Sequence, residues 1–95
     1  GRRRLRLEFE RADVDELRAE MQALAALPNV VGAALLLDPP MLLVAASEDS
    51  GVDAGGRLKA ALAAVGGKGG GSPRFAQGTA PTRDALTTAS HGLTA

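Results

Sequence analysis

The 95 residues carry 11 basic and 11 acidic side chains, no cysteine, one histidine and only two aromatic residues, Phe9 and Phe75. That inventory excludes disulfides, zinc fingers and Cys–His nucleophiles, and nearly excludes binding by stacked aromatics. The length suits one small domain with a core of Leu, Val and Ala, no apolar run approaches the ~20 residues needed to span a bilayer, and the lack of cysteine fits a reducing, cytoplasmic setting.

In chain order, Leu5, Leu7 and Phe9 alternate with charged residues, which predicts a strand over 4–10 with one buried face. Asp13 and Glu16 form a capping box ahead of Leu17, Met21 and Leu24, a first helix ended before Pro28. Val30 to Leu37 and Met41 to Ala46 are apolar runs parted by Asp-Pro-Pro, predicting two adjacent strands joined as a hairpin and buried on both faces. Ser50 or Asp53 caps a second helix whose apolar residues Leu58, Ala61, Leu62 and Val65 share a face, and Gly66 is placed to end it. A glycine loop follows, then a strand over 74–78, then a third helix with Pro81 in its first turn. The predicted fold is α/β of the α+β type, a small mixed sheet of about four strands covered by helices. Its order is strand, helix, strand, strand, helix, glycine loop, strand, helix. Residues 1–95 read as a single domain cut from a longer protein.

The charges are segregated. Ten of the eleven acids lie between Glu8 and Asp53, whereas residues 54–83 carry only Arg57, Lys59, Lys68, Arg74 and Arg83. A neutral chain can thus present a basic face to a phosphate-rich partner, although dispersed solvated charges have the same composition.

The segment Gly66-Gly67-Lys68-Gly69-Gly70-Gly71-Ser72-Pro73-Arg74 sets five glycines around one lysine. It is not a P-loop: the glycine opening that pattern would fall on Leu62, and the Ser or Thr after the lysine on Gly69. The dinucleotide fingerprint would need glycine at Ser72, and a loop that follows a helix lies at the negative end of its dipole. Two readings stay open. Bare backbone from 66 to 71, with Lys68 and Arg74 as cations, suits a sugar-phosphate backbone; the same composition suits a plain linker. Gln77 either hydrogen-bonds a ribose or base or satisfies loop backbone groups. His91 reads as a surface residue, and Asp49 and Asp53 as helix-start acids.

The segment from Gly66 to Gly78 resembles the glycine motif of the DHH-associated C-terminal domain found in alanyl-tRNA synthetases and in long-form alanyl-tRNA editing proteins. The matching positions are Gly66, Gly67, Lys68, Gly69, Gly70, Gly71, Pro73, Ala76, Gln77 and Gly78. Ser72, Arg74 and Thr79 depart from it, standing where synthetases usually carry a base, an acid and a further glycine. The resemblance implies a non-catalytic module that contacts tRNA, with tRNA-Ala as partner, bridges other domains of a parent ligase or editing hydrolase, and in some members dimerises. It implies no cofactor and no membrane. Its implied RNA-contact residues are Gly66, Gly67, Lys68, Gly69, Gly70, Gly71, Arg74 and Gln77. Two alternatives accompany it: a structural or dimerisation module, and the substrate-binding domain of a DHH phosphoesterase, whose glycine run typically precedes histidine where Ser72 stands.

Overall fold

The structure, a computed structural model, describes residues 3–38 and 40–94. Five strands, β1 (Arg3–Phe9), β2 (Val30–Leu37), β3 (Pro40–Ala46), β4 (Lys68–Gly71) and β5 (Phe75–Thr79), form one mixed sheet in the order β1-β2-β3-β5-β4. β1 and β2 run parallel, joined by helix α1 (Val14–Ala25); the other pairs are antiparallel. Helices α2 (Ala54–Ala63) and α3 (Arg83–Thr94) complete the chain. The mixed α+β class follows the sequence expectation, with one strand more, because the glycine run is itself a strand.

The sheet separates two cores. On one face Leu17 and Met21 of α1 pack with Ala34, Leu43 and Ala45, flanked by Phe9, Leu24 and Phe75. On the other, Leu58 and Leu62 of α2 and Leu86 of α3 meet Leu35, Leu42 and Val44. Because β2 and β3 lie between both layers, their sequences read as unbroken apolar runs rather than alternating ones. Met21, Leu35, Leu42, Leu43, Leu58, Leu62 and Leu86 are fully buried. β1 lies at one sheet edge, where Leu5 and Leu7 remain about 40% exposed on the α1 side.

The helix starts follow their caps. Asp13 accepts hydrogen bonds from the Asp15 and Glu16 amides at 2.9 and 3.2 Å. Asp53, not Ser50, caps α2 through the Gly56 amide at 3.1 Å. Thr82 caps α3 through the Ala85 amide at 3.1 Å, so Pro81 lies ahead of the helix rather than in its first turn. Gly66 ends α2 with φ +80°, a conformation any side chain would strain.

Candidate nucleic-acid interface

The glycine run forms no loop: β4 pairs with β5 in the register Lys68–Thr79, Gly69–Gly78, Gly70–Gln77 and Gly71–Ala76. The turn between them is closed by Ser72, whose amide donates to the Phe75 carbonyl at 2.9 Å and whose hydroxyl accepts from the Arg74 and Phe75 amides at 3.3 and 3.2 Å. The first turn of α2 holds the same tip, with the Ala54 and Gly55 amides donating to the Pro73 and Ser72 carbonyls at 2.8 and 3.0 Å. The amides that begin α2 are therefore used within the fold.

Strand alternation divides the motif between two faces. Gly69 and Gly78 look toward α2, and there is no room for a side chain at either. A Cβ on Gly69 would lie 2.8 Å from Leu62 Cδ1 and 3.0 Å from Gly78 Cα; one on Gly78 would lie 2.5 Å from Leu62 Cδ1 and 2.6 Å from Gly69 Cα. At Gly67 it would meet the Thr79 carbonyl oxygen at 2.5 Å, and at Gly71 the Ala76 Cα at 2.7 Å. These glycines let α2, β4 and β5 approach closely. Gly70 differs: a Cβ there meets no atom within 4 Å, and its φ is not left-handed.

Gly70 looks to the α1 side, together with Lys68, Phe75, Gln77 and Thr79. From α1, Arg18 reaches the same face and donates from Nε to Gln77 Oε1 at 2.9 Å, while its Nη1 lies 3.5 Å from Asp15. The Gln77 amide thus engages a helix side chain and not the glycine backbone. Beyond Phe75 the face continues into a cleft of about 370 Å³ between the end of α1 and the hairpin tip, lined by Ala25, Leu27, Pro28, Glu48, Asp49 and Arg74.

Lys68 and Arg74 do not sit side by side. Lys68 is at the open end of the hairpin and Arg74 at its tip, about 10 Å or more apart along the strand. Lys68 is exposed; Arg74 pairs with Glu48 at 2.7 Å. Arg83 likewise meets Glu10 at 3.7 Å. Folding therefore returns acids from the first half of the chain to cations of the second, and the segregation in the sequence does not become one continuous basic face. Among the described residues, no ion pair involves Arg57, Lys59 or Lys68.

The remaining polar residues serve the fold. Asp49 accepts the Ser47 hydroxyl and the Asn29 amide, both at 2.7 Å, and these bonds, the hydroxyl first, hold its carboxyl below the usual aspartate range. His91 is exposed on α3. Among the described residues, no three His, Cys, Asp or Glu side chains group to hold a metal ion. Arg18 is the member of the face that sequence reasoning missed. It reads as one more charge beside the Leu17–Met21 stripe, and no local pattern announces a partner 59 residues away.

No curated protein matches the chain. Among solved structures, the C-Ala domain from Aquifex aeolicus alanyl-tRNA synthetase is similar in fold, with a TM-score of 0.67 at 22% sequence identity, over 97% of this chain and 91% of that one. The element order, the glycine strand pressed on α2 and this shared fold agree with the match of residues 10–94 to the DHHA1 domain, and the chain belongs to that family.

Proposed function

We propose that the chain is a non-catalytic RNA-binding module of a longer protein of the alanyl-tRNA synthetase kind, helping to position tRNA-Ala for aminoacylation or editing. The observation that carries this reading is Gly70. Its neighbours in the motif are glycine because the fold leaves no space or needs a left-handed turn, whereas Gly70 has both space and an ordinary conformation. A bare position there lets a ligand reach the main chain of an edge strand, with Lys68 and Gln77 on the same face. Family membership and the likeness to the Aquifex aeolicus domain support RNA as the ligand. Lys68 at the open end of the hairpin and Arg74 at its tip suit successive phosphates along a backbone better than one anion between them.

The test is binding of tRNA-Ala by the wild type and by Lys68→Ala/Arg74→Ala across a range of salt. Losing two phosphate contacts should weaken binding and lower the slope of log K against log salt by roughly 1.5, at about 0.7–0.9 per contact. Unchanged affinity and slope refute the surface.

One observation favours a second, structural reading. Leu5 and Leu7 are exposed on edge strand β1, where a second copy could pair. Gly69 and Gly71 are enclosed by the chain's own atoms, so this dimer would be disrupted by Leu5→Glu/Leu7→Glu rather than by changes in the glycine strand. Sedimentation of that variant tests it, a mass independent of both leucines refuting it.

A further inference from the structure

The geometry points to Arg18 as a positioning residue that fixes the polarity of Gln77, so that Gln77 presents its NH2 donor, not its oxygen, to RNA on the α1-side face of the β4–β5 hairpin; this rests on the RNA-binding reading above. A glutamine amide has an acceptor end and a donor end, and it turns to suit its neighbours. Arginine has no acceptor, so the Gln77 atom that meets Arg18 Nε at 2.9 Å must be the carbonyl oxygen. Asp15, one helical turn before Arg18, holds the guanidinium from the other side. The Gln77 NH2 group is therefore turned away from Arg18, and no partner among the described residues takes it.

Across the ladder from Gln77 stands Gly70, which has no side chain and open space where one would be. A ligand can reach the amide over that bare position. Two residues before Gly70, Lys68 adds a charged donor on the same face. Two donors set close together, the Gln77 NH2 and the Lys68 ammonium, select an acceptor atom between them: a non-bridging phosphate oxygen or a nucleobase carbonyl. With Arg18 removed, Gln77 turns freely and presents its oxygen part of the time, which repels both.

The experiment uses the 95-residue chain and tRNA-Ala at fixed salt. Gln77→Glu keeps the acceptor for Arg18 and strengthens that contact with charge, so thermal stability is unchanged or higher, but it removes the NH2 donor; binding should fall tenfold or more. Arg18→Ala should weaken binding about fivefold beside native Gln77 and no more than twofold in a Gln77→Ala background, since its effect passes through the amide. Equal loss with a tRNA of unrelated sequence identifies a phosphate as the acceptor, and unequal loss a base. Wild-type binding that survives Gln77→Glu, or an Arg18→Ala loss that is the same in both backgrounds, overturns the inference alone. A wild-type chain that binds no tRNA-Ala overturns the RNA reading and the inference with it.

Discussion

Replacing Gly78 by alanine should lower stability and replacing Gly70 should not, although the two residues lie on adjacent strands. At Gly78 the new methyl would fall 2.5 Å from Leu62 Cδ1 and 2.6 Å from Gly69 Cα, with the Lys68 carbonyl oxygen also in its way. Leu62 can rotate, but the other two obstacles are main chain. β4 must move away from β5, and α2, bonded to the hairpin tip, resists. Overpacking of this kind costs about 1–3 kcal/mol, offset by the ~0.4–1 kcal/mol that alanine contributes by restricting the unfolded chain. The net loss centres on ~1.3 kcal/mol, or roughly 5–10 °C in Tm for a domain of this size. At Gly70 the methyl meets nothing, so only the favourable component remains and stability should be unchanged or rise by up to ~1 kcal/mol. Thermal and urea unfolding followed by circular dichroism suit a chain without Trp or Tyr. A Gly78→Ala protein as stable as the wild type, or a Gly70→Ala protein equally destabilised, would refute this account of why the strand is glycine.

Removing the Asp13 cap with Asp13→Ala should cost about 1 kcal/mol, and Asp53→Ala a similar amount, both read by urea unfolding. Arg74→Ala breaks an exposed ion pair and should cost no more than ~1 kcal/mol, so any larger effect on RNA binding would come from the lost cation rather than a damaged fold. The Asp49 carboxyl is held below the ordinary value, about 3.9 for a free aspartate. A depressed carboxyl stabilises the fold above its unfolded value and loses that contribution as pH falls through its folded value. The wild type should therefore lose stability below about pH 4 more steeply than Asp49→Asn, and parallel acid unfolding curves would contradict this.

The strands and helices that bury continuous or periodic apolar residues were legible because their signals are local. Leu17 and Met21 share a helical face, residues 30–37 and 41–46 are apolar runs, and Asp13 and Asp53 stand where caps belong. The alternation of Leu5, Leu7 and Phe9 marks β1, but the buried face it predicts holds only for Phe9, because the sheet edge leaves Leu5 and Leu7 about 40% exposed. The glycine strand was not legible. Glycine has little intrinsic preference for a strand, and what makes β4 one is the approach of Leu58 and Leu62 from a helix earlier in the chain. The candidate face was half legible: Lys68, Gly70 and Gln77 lie in the motif, but the motif treats its glycines as equivalent, and only packing separates Gly70 from the rest. Arg18 and the Arg74–Glu48 pair depend on tertiary contacts that no spacing along the chain encodes.

Titration of 15N-labelled protein with tRNA-Ala, followed amide by amide, tests most directly whether RNA is held on the α1 side of the hairpin. Resonances of Lys68, Gly70 and Gln77 should shift or broaden at low RNA ratios, while those of Arg57 and Lys59 on α2 stay in place. Perturbation concentrated on α2 or along β1, with the hairpin unaffected, would contradict that claim.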